Sequence, residues 1–331
     1  MRSSLTTSFL LILARFTLAA DLVHDLSLPS FLQSMNRSSL NTSIAASNDN
    51  SIQAWAKQAR QSEYRENAIH QGAINTLEAL FQQKVEPDIA AATITGSYEP
   101  WLKQGFAVSP VFQFWGMICE AIQMLGQNVF IVGQLVELLN SISTRPDVLD
   151  RNGRPVSPGG GYTGVYWRDL PALAVMLREY AFDIEPETPE LPDEGDWTPA
   201  QRATLMSVVT FGTYYLAWGQ VDLGMSHQAE VSFMLGIEQP YQTPQQIRRA
   251  LTLVPPAAEW MGVGGKKIYQ LCQRGTTQRG TSFSLDRWRL WRTKFVEIGR
   301  NSALTPSVRQ WALGAQDSMA AAETSRTSEA R

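Results

Sequence analysis

Three glycines in the segment SPGGGYTG have the spacing of a dinucleotide-binding loop. Gly159, Gly161 and Gly164 match G-x-G-x-x-G letter for letter. Such a loop holds a pyrophosphate only where it joins a buried strand to the N-terminus of a helix. Pro155 and Pro158 precede the glycines and no apolar run does, which argues against a central strand. We interpret the segment as a loop that binds no nucleotide.

Histidine, the usual acid–base group and metal ligand near neutral pH, occurs three times, at positions 24, 70 and 227. His70 lies four residues after Glu66 and His227 three before Glu230, so each pair could share a helix face. Neither pair has the E-x-x-H or H-E-x-x-H spacing of helical metal sites. The chain also lacks the G-x-S-x-G elbow and the P-loop. We therefore predict no metal site and no cofactor.

Carboxylates remain as candidates for acid–base catalysis, because burial can raise the pKa of such a group into the useful range. The three candidates are Asp169, Glu179 and Glu259. The sharpest polar cluster contains the first of them. There Arg168 could hold a substrate carboxylate and Trp167 could provide a stacking wall. In the alternative interpretation, Asp169 caps a helix over 170–180, Trp167 packs into the core and Arg168 pairs with an acidic neighbour.

The composition describes a folded chain with a large core and no general affinity for nucleic acid. Of its 331 residues, 44% are hydrophobic and only 18% are charged, and the net charge is −3. Ten tryptophans, Trp260 among them, indicate a core or an apolar binding pocket lined by indoles. The two cysteines, Cys119 and Cys272, could form one disulfide, although buried free thiols are the more common outcome for such positions.

Charge is unevenly distributed along the chain. Residues 248–309 contain twelve Lys or Arg against three Asp or Glu, whereas residues 183–196 contain seven Asp or Glu and no base. The basic region could attract a phosphate, an acidic protein or the acidic segment of the same chain. It could equally consist of solvated helix faces. The partners we expect are a small apolar or anionic metabolite, or a protein, but not nucleic acid.

The N-terminus resembles a targeting segment. Arg2 precedes an apolar run, and Ala19-Ala20 could serve a signal peptidase, so residues 1–20 indicate secretory entry. Two glycosylation sequons follow, at Asn36 and Asn41. Arg15 interrupts the apolar run, however, and a cytoplasmic or mitochondrial location stays open. No later stretch predicts a membrane span, because polar residues interrupt each one at helical spacing.

Apolar periodicity predicts an all-α fold of nine to eleven helices and no sheet. The T-P-x-Q motifs at Thr198 and Thr243 are capping boxes, Pro255-Pro256 would begin a further helix, and Trp288, Trp291, Phe295 and Ile298 would share one buried face. One helical domain is expected over 51–319, with a long loop at 145–165 and an acidic loop at 183–197. Poorly ordered segments would flank it at 21–50 and 320–331.

Four short blocks carry a family resemblance. They are YWRDLP from residue 166, REY from 178, VPPAAEW from 254 and WRLW from 288. Together they resemble an uncharacterised fungal family, the domain of unknown function thirty-six thirty-two, from about residue 55 to 311. The resemblance implies a fungal helical protein without assigned catalytic residues, some of whose relatives are encoded beside specialised-metabolite genes.

Two functions compete at this point. The first is an accessory protein of specialised metabolism that acts by binding, with Trp167, Arg168 and Trp260 as candidate binding residues. The second is an enzyme whose tryptophan-lined pocket uses the three carboxylates. The two differ in whether those carboxylates meet at a pocket or serve separately as caps and ion pairs.

Overall fold

The computed structural model describes residues 42–62, 67–104, 109–158, 162–181, 197–275 and 283–324. These ranges contain twelve α-helices, one π-helical turn and no strand, so the all-α prediction is confirmed and the predicted helix count is exceeded by one. Several predictions concern residues outside the described ranges: the leader 1–20, His24, Asn36, Asn41, Glu66, Gly159, Gly161 and the acidic segment 183–196. None of the described helices is long and apolar enough to cross a bilayer.

Three helices form the N-terminal part: α1 (Thr42–Gln61), α2 (Ala68–Phe81) and α3 (Pro87–Lys103). The ring of Trp55 in α1 meets that of Phe81 edge-on, with centroids 5.2 Å apart. His70 in α2 is fully buried. Its two ring nitrogens lie 2.7 Å from the Tyr98 hydroxyl and 2.5 Å from Gln113 Oε1, so hydrogen bonding compensates its burial.

The middle of the chain contains α4 (Ser109–Leu125), α5 (Val129–Ser143), the short α6 (Leu173–Met176), a π-turn (Leu177–Ala181) and α7 (Pro199–Trp218). Helix α7 packs against α4 and α5 on one side and against the C-terminal helices on the other. Its residues from Val208 to Tyr215 are all buried, as expected for a helix with neighbours all around it.

The C-terminal part consists of α8 (Met225–Gly236), α9 (Pro244–Gly262), α10 (Gly265–Arg274), α11 (Leu285–Arg300) and α12 (Pro306–Thr324). Helices α8 and α9 approach closely at Gly236, where an added Cβ would clash with the carbonyl of Leu253. Trp288, Trp291, Phe295 and Ile298 of α11 are buried together, which confirms the predicted face. They belong to the same core cluster as Trp167, Leu170 and Trp260.

Both predicted capping boxes are present. The Thr198 and Thr243 side chains accept from the backbone N–H groups of Gln201 and Gln246, at 3.2 and 3.3 Å. In turn, the two glutamine side chains accept from the backbone N–H groups of the cap threonines. The prediction that Pro255-Pro256 begins a helix is wrong, because both prolines lie inside α9. Tertiary packing around the buried Pro256 and Trp260 retains the helix where proline alone would end it.

Two boundaries differ from the sequence prediction. Helix α1 begins at Thr42, inside the range 21–50, and α12 continues to Thr324, inside 320–331. At the second boundary the reason is a long-range contact. The Glu323 carboxylate accepts from Trp288 Nε1 at 2.7 Å and pairs with Arg292 at 2.9 Å, which fixes the last turn of α12 on α11.

Candidate functional site

The segment between Gly164 and Ala172 has an unusual backbone. Trp167, Leu170 and Ala172 have φ values of 62°, 46° and 68°, a left-handed region that side chains other than glycine rarely adopt. All three residues are buried. The π-turn follows after the single turn of helix α6, and such turns recur at functional sites. We call residues 164–172 the strained turn.

Contacts from outside and inside the strained turn hold it in place. Trp115 Nε1 in α4 donates to the carbonyl of Pro171 at 3.1 Å, across 56 residues of chain. Asp169 Oδ2 accepts from the backbone N–H of Val165 at 2.7 Å. The prediction that Asp169 caps a helix over 170–180 is therefore wrong: this carboxylate closes the turn that precedes it. Helix α6 starts only at Leu173, because Leu170 and Ala172 are left-handed.

The inner side of the strained turn is aromatic. Trp167 and Tyr166 are buried with ring centroids 6.2 Å apart, and the Trp167 Nε1 has no hydrogen-bond partner within the described ranges. Burial raises the pKa of Tyr166 to about 12, so its hydroxyl stays protonated near neutral pH. Trp167 is thus a core residue rather than an exposed stacking wall.

The outer side of the strained turn is charged. Arg168 is 56% exposed and lies 3.1 Å from Asp147 Oδ2 and 3.8 Å from Asp169 Oδ1. In the neighbouring π-turn, Arg178 pairs with Glu179 at 3.3 Å, and both side chains are about half exposed. The strained turn therefore buries an indole while presenting a guanidinium to solvent.

The structure gives each proposed catalytic carboxylate a different partner. Asp169 closes the strained turn, Glu179 pairs with its neighbour Arg178, and Glu259 accepts from Thr210 Oγ1 at 3.0 Å. Glu259 lies on α9 beside α7, whereas the π-turn packs on α4. Glu259 therefore lies on a different pair of helices from the other two carboxylates.

Trp260 also lies apart from the strained turn. Its side chain is fully buried, and its Nε1 donates to Ser232 Oγ of α8 at 3.0 Å. The buried thiols offer no nucleophile near neutral pH, because burial raises the pKa of both Cys119 and Cys272 to about 12; both are free. A surface groove of about 400 Å³ lies along the end of α1. Its lining contains no tryptophan and consists of Ala54, Lys57, Gln58, Gln61 and Ser62.

One polar cluster was not predicted from the sequence. Arg287 of α11 binds Glu230 of α8 and also Glu238, the latter at 2.8 Å, and its guanidinium lies 5.2 Å from the centre of the Trp291 ring. Trp291 Nε1 donates to Glu238 Oε1 at 2.7 Å. Because the partners are 49 and 57 residues from Arg287 along the chain, no local spacing indicates them. The cluster joins α8 to α11.

Comparison with known proteins gives one family. The family model described as Protein of unknown function (DUF3632) matches residues 115–295, more than half of the chain. The chain belongs to this family. The matched region starts at Trp115, whose indole holds the strained turn, and includes the turn itself and the Arg287 cluster. No curated protein sequence and no solved structure shows significant similarity to the chain.

Proposed function

We propose that this member of the family is an accessory protein of specialised metabolism that binds, at the strained turn, an anionic group of a metabolite or a protein. The observation that carries the proposal is the backbone of Trp167, Leu170 and Ala172. Each such residue costs about 1–3 kcal/mol, and backbone strain of this kind clusters at ligand clamps. The link to specialised metabolism is supported by the family resemblance.

Arg168 supplies the chemistry for such recognition. Its pairs with Asp147 and Asp169 are exposed, and exposed pairs contribute about 0–1 kcal/mol each. A carboxylate or phosphate of a ligand can therefore replace them at little cost. The planar guanidinium then offers two parallel N–H donors to the ligand. Binding is favoured over catalysis because the proposed catalytic carboxylates are engaged separately and the thiols are protonated.

The test is retention of compounds from a metabolite extract of the native host by the purified chain, measured by mass spectrometry. We expect retention without turnover, and about a tenfold loss in Arg168→Ala, because a charge-assisted hydrogen bond contributes about 1.5–3 kcal/mol. Arg289→Ala is the matched control, since Arg289 is an exposed arginine in an ion pair on α11. It should retain the same compounds as the wild type.

Two results would contradict the proposal. Equal retention by wild type and Arg168→Ala would remove the strained turn as the binding site. Conversion of a compound, lost in folded Asp169→Asn or Glu179→Gln, would favour the enzyme instead. Titration with NAD, NADP and ATP should give no saturable signal if the glycine segment is only a loop.

A further inference from the structure

The start of α3, which carries two carboxylates, lies against α5, which carries a third. Glu86 is the N-cap of α3 and Asp88 lies in its first turn, on either side of Pro87. Glu137 is the one charged residue of α5. Ser141, one turn after Glu137, donates from its hydroxyl to Asp88 Oδ1, which fixes Asp88 against this face of α5. The α3–α5 contact is among the most extensive in the molecule.

The three carboxylates are not equally stable as anions. Glu86 and Asp88 gain from the positive end of the α3 dipole. Glu137 lies in the middle of its helix and has no such compensation. Its Oε1 is shielded from solvent and accepts no hydrogen bond from any described residue. An unpartnered buried oxygen favours the neutral acid over the carboxylate.

The charged groups around Glu137 act in the same direction. Burial raises the pKa of Glu137 to about 7, and the negative charges of Glu86 and Asp88 add to the shift. Helices α2, α4 and α7 also pack on α5. Among the described residues of all these elements, Glu86 and Asp88 are the charged groups that act on this carboxyl.

We propose that the contact between α3 and α5 is a pH-sensitive joint, which tightens when Glu137 is protonated and loosens when Glu137 is ionised. It connects α3, which lies outside the region matched by the family model, to α5 inside it. The docked state holds the proton more tightly than the open state. Docking is therefore strongest below the ordinary glutamate pKa, weakens as pH rises, and is weakest above about 7. This inference does not depend on the proposed function.

Hydrogen exchange of the full chain at pH 5.5 and 7.5 tests the joint, with α11 amides as the internal reference for the intrinsic change of rate. For one titrating group, a rise of two pH units can change the opening equilibrium of α3 by at most a hundredfold. Because Glu137 is only half buried, we expect about tenfold more opening of α3 at pH 7.5. The Glu137→Gln variant should show no such difference, because its side chain keeps the shape and cannot ionise.

Two further variants separate the joint from a general pH effect. Glu99→Gln removes an exposed carboxylate that pairs with Lys103 at the far end of α3, and its pH response should match the wild type. Asp88→Asn removes one of the repelling charges, so the response should move to lower pH. The proposal is wrong if α3 in the wild type opens equally at both pH values, or if Glu137→Gln keeps the wild-type response.

Discussion

At the scale of single residues, the strained turn stores free energy that one substitution can release. Ala172 is left-handed without being glycine. We expect Ala172→Gly to keep or raise the melting temperature, since relief of about 1–2 kcal/mol of strain exceeds the entropy that glycine adds to the unfolded chain, about 0.4–1 kcal/mol. Thermal unfolding followed by circular dichroism measures the change.

Ala92→Gly provides the comparison, because Ala92 lies inside the regular helix α3. There the same substitution should lower stability by about 1 kcal/mol. Equal destabilisation by both variants would show that Ala172 carries no strain, and would remove the main support for a binding site at the turn.

At the scale of elements, two indoles hold α11 to the core, and the N–H group of each donates to a carboxylate. Trp291 is fully buried, and its Nε1 donates to Glu238. We expect Trp291→Ala to cost about 3–5 kcal/mol in the free energy of unfolding. Trp288→Ala should act similarly, because it also releases Glu323 and with it the last turn of α12. Denaturant titration gives both values.

Trp101→Ala is the control for this pair, because Trp101 is 39% exposed on α3. Its cost should be clearly smaller than that of either α11 variant. Unchanged stability in both α11 variants would contradict a structural role for these indoles and would favour a ligand or partner on that face.

At the scale of the whole molecule, entry into the secretory pathway would determine which partners the protein meets. We propose that residues 1–20 direct the chain into the secretory pathway and are removed near Ala19 or Ala20. Asn36 and Asn41 would then carry glycans. N-terminal sequencing and intact mass of the protein from its native host test this proposal. An intact Met1, or an unmodified protein recovered from the cytosol or mitochondria, would refute it.

Helices and their starts could be predicted from the sequence, because the signals that set them are local. A capping box such as Thr243 with Gln246 spans three residues, and the stripe of Trp288, Trp291 and Phe295 repeats at the period of one helix turn. Burial of that stripe follows from its apolar character alone. The family could also be inferred, since short blocks such as YWRDLP can be identified in the sequence without knowledge of the fold.

The conformation of the residues at the candidate site is determined by tertiary contacts. The type and spacing of Trp167, Arg168 and Asp169 favoured a cap, yet the bond from Trp115 to Pro171 and the burial of the indole hold a left-handed turn instead. In the same way, burial within the fold raises the pKa of Glu137, and the carboxylates at the start of α3 add to that shift. Local interactions extend over a few residues, whereas backbone strain and shifted pKa values arise where distant segments meet, and only the folded chain brings those segments together.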